Sequence, residues 1–198
     1  LQGIQPFDLV LVLGLFAMFI VGFAQGITRR LLGTAAILFA LFLGAQLRTP
    51  FGGYLAQQWT NISPDYSYMI GFGAIFVATA VTLSVGIQIG YRPAPLFYRY
   101  PVLDEILGGV VGVLEGLIIL MAVLIIIDPY FAGAGHTAGD VGVLGEFGPL
   151  RSLHSFIDDS VVATVMRENV IPALFSVLGG LFPEDVVKTF ATVLSAAR

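Results

Sequence analysis

The sequence predicts an all-α polytopic membrane protein, with four transmembrane helices followed by short extracytoplasmic amphipathic helices. Three observations carry this reading. Leu9 to Thr28, Leu31 to Leu47 and Tyr66 to Tyr91 hold no charged residue, and Ile106 to Ile127 holds only Glu115. Hydrophobic residues make up 57% of the 198 and charged residues 11%, against roughly 25% charged in a soluble domain, and the mean hydropathy is +0.93. The runs also lack the period-2 alternation of a membrane strand, so helices rather than a barrel satisfy the backbone in lipid.

About twenty apolar residues at 1.5 Å rise cross a ~30 Å hydrocarbon core, which places the spans at about 7–24, 31–47, 66–90 and 105–127. Pro6 and Asp8 suit the first turn of span one. Its N-terminal side lacks a basic segment and a small-residue cleavage site follows nowhere before the second span, so it reads as a retained span rather than a signal peptide. With Leu1 where a start Met is expected, some N-terminal residues are expected to be missing. Arg29 and Arg30 mark a tight first hairpin, and Pro50, Pro64, Pro93, Pro95, Pro101 and Pro129 punctuate the other connections. Tyr54, Tyr66, Tyr68, Tyr91, Tyr98, Tyr100 and Tyr130, with Trp59, fall at span ends, the headgroup level that amphipathic rings prefer. By the positive-inside rule, Arg29, Arg30, Arg92 and Arg99 in the first and third connections outweigh Arg48 in the second. Both termini are therefore expected outside.

Residues 1–130 form the membrane domain in this reading, and 131–198 an extracytoplasmic segment. Ala132 to Gly148 is glycine-rich and reads as an irregular loop. Beyond it Leu150, Leu153, Ile157, Val161 and Val165 recur at helical spacing, then Val170, Leu174, Leu178 and Leu181 with Pro172 interrupting near the start, then Val186, Phe190, Val193 and Leu194 after Pro183. None reaches spanning length without a break. Short helices on the outer surface of the bundle, or a docking platform for a partner, are both expected of such stripes.

Lipid is as apolar as leucine, so helices in it associate through close approach at small residues. The fourth span offers Gly108, Gly112 and Gly116, the third Ala74, Ala78, Thr82, Gly86 and Gly90, the second Ala36, Ala40 and Gly44, and the first Gly22 and Gly26. Such ridges serve packing inside the bundle, homodimerisation or docking to another subunit. Glu115 shares a face with Gly112 and Gly116, deep in its span. An ionised mid-bilayer acid costs about 2.5–3.5 kcal/mol on insertion scales, so Glu115 is expected to be protonated or paired inside the bundle. Gln88, Thr79, Thr82 and Ser84 are possible companions. A structural hydrogen bond, a contact to another subunit and a proton or ion path all remain open for it.

Other chemistry is poorly supplied. The formal charge is −4 and the nine basic residues form no cluster beyond Arg29-Arg30, which argues against a nucleic-acid partner. Cysteine is absent, which removes disulfides, thiolate metal sites and cysteine nucleophiles. His136 and His154 with Asp140, Asp158 and nearby serines lack a nucleophile elbow, and His136 with Asp140 in a glycine loop makes a poor metal site. No span carries a histidine to ligate a haem. No cofactor, metal or catalytic residue is expected; the partners expected are the lipid bilayer and other membrane subunits or a second copy.

Phe7-Asp8-Leu9-Val10 and Gly22-Phe23-Ala24-Gln25-Gly26-Ile27-Thr28-Arg29-Arg30-Leu31-Leu32 resemble the entry and first hairpin of the colicin V production protein family. Pro101 to Leu117, with Leu103-Asp104, Leu107-Gly108, Gly112 and Gly116, is similar to that family's fourth span, and the resemblance covers about residues 7–127. Ala24-Gln25 depart from the basic pair expected beside Gly26. The resemblance implies a four-span bacterial inner-membrane protein linked to export of a peptide toxin and to envelope integrity. Some relatives carry a trypsin-like protease after the last span, with an outside C-terminus; Asp128 to Arg198 is too short for that domain, so its catalytic residues are not expected here. The leading expectation is a non-enzymatic membrane protein of this type. An accessory or scaffold subunit of a larger, energy-transducing complex and a small transporter using Glu115 are the alternatives.

Overall fold

The computed structural model describes residues 5–91, 100–131 and 148–196. All their regular structure is helical: α1 Pro6–Gln25, α2 Ile27–Gln58, α3 Pro64–Gly90, α4 Pro101–Phe131, α5 Gly148–Asp158, α6 Val161–Val165, a π turn Met166–Val170, α7 Ile171–Leu178, a 3-10 turn Gly179–Leu181 and α8 Glu184–Ala196. The glycine-rich segment, His136, Asp140, Arg92 and Arg99 lie outside the described residues.

Each long helix begins where local chemistry allows. Pro6 sits in the first turn of α1, and Ser63 caps α3 by accepting the Tyr66 N–H at 3.3 Å ahead of Pro64. A missing N–H costs nothing at a first helical position. α1 and α2 are joined by Gly26 alone, at φ +75°, with its N–H donating to Gly22 O at 3.0 Å. Only glycine takes that φ without strain, and a β-carbon there would also stand 2.3 Å from the Asp104 carboxylate.

Two helices overrun the expected spans. α2 continues through Pro50 to Gln58, and α4 through Pro129 to Phe131. Proline removes one helical hydrogen bond and crowds the carbonyl four residues back, yet here both prolines lie near the bundle end, where packed neighbours hold the helices together. Arg48 is accordingly a helix residue and not part of a connection. Tyr66, in the first turn of α3, and Tyr130, at the end of α4, are buried against one another, ring centroids 5.3 Å apart.

The four long helices pair as α1 with α4 and α2 with α3, with α2 bridging to α4. Close backbone approach makes the first pair. A β-carbon on Gly108 would lie 2.5 Å from Gly22 O, on Gly112 2.3 Å from Met18 O, and on Gly116 2.8 Å from the Leu15 side chain. The second pair closes at Gly52 and Gly71, where a β-carbon on Gly71 would lie 3.0 Å from Gly52 N, and at Gly44 against the Phe72 ring. Leu41, Phe72, Phe76, Leu124 and Ile125 fill the core between the pairs. Leu9, Val12, Leu13, Phe16 and Ile20 on α1, and Val77, Val81, Val85 and Ile89 on α3, are exposed, as residues facing acyl chains are.

Val161–Leu181 runs end to end as 21 residues, long and apolar enough to cross a membrane. This corrects the expectation that the tail lacks an unbroken stretch of that length. Pro172, expected to interrupt it, lies in the first turn of α7, directly after the π turn. The wider turn absorbs the residue whose N–H is missing. Both ends of the segment are nevertheless tied to one end of the bundle. Ser160 and the N–H groups of Val161 and Val162 donate to Asp8, while Gln46 donates to Leu181 O at 2.8 Å. Asp8 and Gln46 each lie about 27–30 Å of helix from the Gly26 turn, at matching depth. The segment therefore lies across one end of the bundle.

Candidate functional site

Two polar clusters sit inside this otherwise apolar protein, one around Glu115 at the middle of α4 and one around Asp128 near its C-terminal end. The first is built around Glu115. Its Oε2 accepts from Arg30 Nη1 at 2.9 Å, and the two side chains are only 9% and 8% exposed. Gly112, three residues before it, and Gly116, the next residue, bring α4 against α1, and Gly33 clears α2 opposite: a β-carbon there would stand 3.3 Å from the carboxylate. Glu115 is thus paired by a guanidinium. Two charges taken out of water repel the membrane less as a pair than either does alone, although the pair still carries a desolvation cost.

Beside the pair lies a cavity of about 160 Å³ lined by Val21, Gln25, Arg29, Arg30, Gly33, Ser84, Ile87, Gln88 and Glu115. Ser84 and Gln88 share this cavity with Glu115; Thr79 and Thr82 do not line it. Arg30 Nε and Thr34 Oγ1 are buried without a hydrogen-bond partner. A second cavity of about 180 Å³, at the Gly26 turn, includes Arg29, Asp104 and Glu105 in its lining. Arg29 and Arg30, expected as topology markers at the membrane face, therefore differ: Arg29 is half-buried between the cavities, and Arg30 turns inward.

The second cluster centres on Asp128, which is fully buried. Arg167 grips it with both prongs, Nε to Oδ2 at 2.7 Å and Nη2 to Oδ1 at 2.9 Å, and reaches Asp158 through Nη1 at 2.8 Å. His154 Nε2 stands 3.3 Å from Asp128 Oδ1, without hydrogen-bond alignment. A bidentate guanidinium–carboxylate pair fixes direction as well as distance. Together with the Asp8 contacts to Ser160 and the Arg48–Asp185 pair at 3.2 Å, it fastens the tail to the bundle. Sequence reasoning passed over Asp128 and Arg167. A lone base on an apolar stripe and an acid closing an uncharged run were the signals available. Asp128→Ala, which leaves Arg167 without its buried partner, is expected to cost about 3–5 kcal/mol, read as a lower thermal midpoint and faster proteolysis of the tail.

Gly108, Gly112 and Gly116 lie at the α1 contact, whereas Gly86 and Gly90 meet nothing within 4 Å of a built β-carbon and are exposed. Among the described residues no group of three His, Cys, Asp or Glu is placed to hold a metal ion.

These features define a multi-pass α-helical membrane protein with glycine-packed spans and an ion pair buried within them. The Colicin V production protein family matches residues 7–170, and the chain belongs to that family. The match runs past α4 to include α5, α6 and the π turn, while α7 and α8 lie beyond it. Members are generally non-enzymatic. No curated protein and no solved structure matches the chain.

Proposed function

We propose that the chain is a non-enzymatic scaffold of the bacterial inner membrane, with both termini on the extracytoplasmic side, serving membrane assembly, toxin export or envelope integrity. The observation that carries this reading is the apolar plug between the two polar clusters. Along α4 the buried residues between Glu115 and Asp128 are Leu120, Met121, Ala122 and Leu124 to Ile127, about 20 Å of helix. A proton or ion path needs polar groups at steps along it, and the plug offers hydrocarbon instead. This favours a static bundle over a transporter using Glu115.

Proteoliposomes with an entrapped pH dye test the reading. Under an imposed proton gradient and a membrane potential, vesicles holding the protein should leak no faster than empty ones, and Glu115→Gln should change nothing. Flux in the native protein that Glu115→Gln abolishes would sink the scaffold reading. The orientation is tested by a cysteine placed at Thr137, which should be labelled by an impermeant thiol reagent from the extracytoplasmic side only.

The outward ridge of α3 favours a second reading, an accessory subunit of a larger membrane complex. Ala74, Ala78, Thr82, Gly86 and Gly90 are all exposed, and small residues let a neighbouring helix approach closely. Extraction from the native membrane in mild detergent should then recover the chain at stoichiometry within a defined larger particle, whereas recovery alone would remove this reading.

A further inference from the structure

The cavity beside the Arg30–Glu115 pair has donors to spare. Glu115 takes only Arg30 Nη1, and Arg30 Nε is buried with no acceptor. Arg29, Gln25, Ser84 and Gln88 add a second guanidinium, two amides and a hydroxyl to the lining. Two positive charges against the one of Glu115 leave the lining of this cavity cationic; Asp104 and Glu105 line the neighbouring cavity, on the other side of Arg29. Buried N–H groups without acceptors are costly, and a set of guanidinium and amide donors matches the oxygens of a phosphate. The volume of about 160 Å³ equals roughly five waters at ~30 Å³ each, room for a phosphate group.

The entrance shows where such an anion comes from. α1 contributes Val21 and Gln25 to one wall, and α3 contributes Ser84, Ile87 and Gln88 to the other. Val21 is 42% exposed, and Ile20, Val85 and Ile89 nearby are exposed apolar residues, so the rim belongs to the surface that meets acyl chains. Arg29 and Arg30 lie in the first turn of α2, where headgroups meet hydrocarbon. We propose that this cavity binds the phosphate of an anionic phospholipid in the leaflet at the Gly26 end, with Arg29 and Arg30 as its main contacts and the acyl chains running along the outer faces of α1 and α3. This goes beyond the scaffold reading and does not rest on it.

The test is a titration of the purified full chain in detergent, read by native mass spectrometry, with phosphatidylglycerol, with phosphatidylcholine of the same acyl chains and with inorganic phosphate. One retained phosphatidylglycerol per chain is expected, with little retention of the other two. Arg29→Gln should weaken retention by about five- to tenfold, the effect of one basic residue near an anionic membrane surface. Because Arg30→Gln alone strands Glu115, it is paired with Glu115→Gln, which keeps the bundle neutral. Ser84→Leu fills the cavity without touching a charge. Loss of the adduct in all three backgrounds supports the site. Retention equal to the native chain in Ser84→Leu and Arg29→Gln overturns it, as does equal retention of phosphatidylcholine. Inorganic phosphate binding as well as phosphatidylglycerol overturns the lipid assignment in favour of a soluble anion.

Discussion

Arg30→Gln is expected to destabilise the bundle by about 3–5 kcal/mol, the cost of stranding one member of a buried ion pair. Glu115 would keep its burial against Gly33 and the α1 contact while losing the guanidinium 2.9 Å away. Glu115→Gln should cost less. Arg30 stands in the first turn of α2, and a long arginine side chain can swing outward to the headgroups, an escape that a carboxylate in the middle of its helix lacks. Replacing both, Arg30→Met with Glu115→Leu, should return most of the lost stability, since exchanging a buried pair for apolar groups of similar volume is often neutral or better. Thermal unfolding of the native chain, Arg30→Met, Glu115→Leu and the double variant in one detergent closes the double-mutant cycle. Additive losses, with no recovery in the double variant, would show that the pair is not coupled as the geometry requires.

Gly112→Leu carries the second large effect. Its β-carbon would stand 2.3 Å from Met18 O and 3.4 Å from the Gly22 Cα, and both are backbone atoms that no rotamer change moves. Overpacking usually costs about 1–3 kcal/mol; here α1 must separate from α4, so a loss at or above the top of that range is expected. Gly86→Leu is the control. Nothing lies within 4 Å of that position, so the change should stay within about 0.5 kcal/mol. A normal melting midpoint for Gly112→Leu would contradict the α1–α4 contact, and a loss in Gly86→Leu equal to that in Gly112→Leu would mean that the α3 ridge is covered.

The long helices were legible because their signal is local. An uncharged run of sufficient length needs no partner to declare itself; the first hairpin was expected at Arg29 and Arg30, whereas the turn falls at Gly26 and both arginines lie in the first turn of α2. The overruns of α2 and α4 were not legible, because the rule that proline ends a helix is also local and the packing that overrides it at Pro50 and Pro129 comes from elsewhere. The continuous Val161–Leu181 segment was missed for the same reason, with Pro172 absorbed by a π turn. At the candidate site, Glu115 stood out as an acid deep in a span. Its partner did not: Arg30 lies 85 residues away, and on sequence it counts only as a topology charge at the membrane face. Asp128 and Arg167, 39 residues apart, were hidden in the same way.

Two ridges of the same composition show the limit most directly. Gly108, Gly112 and Gly116 on α4 and Gly86 and Gly90 on α3 repeat at the same four-residue interval, and spacing alone cannot say which face another helix covers. The sequence by itself determined a helical membrane protein, the rough extent of its four long apolar helices and the anomaly of Glu115, because composition and run length act within a single helix. Only the tertiary structure decided that the α4 ridge is buried and the α3 ridge open, that Arg30 neutralises Glu115, and that the tail is held across the bundle end by Asp8, Asp128 and Gln46. Those outcomes depend on which helices meet and how deep each side chain then lies, and in a low-dielectric interior it is that meeting that sets the partner of a charge.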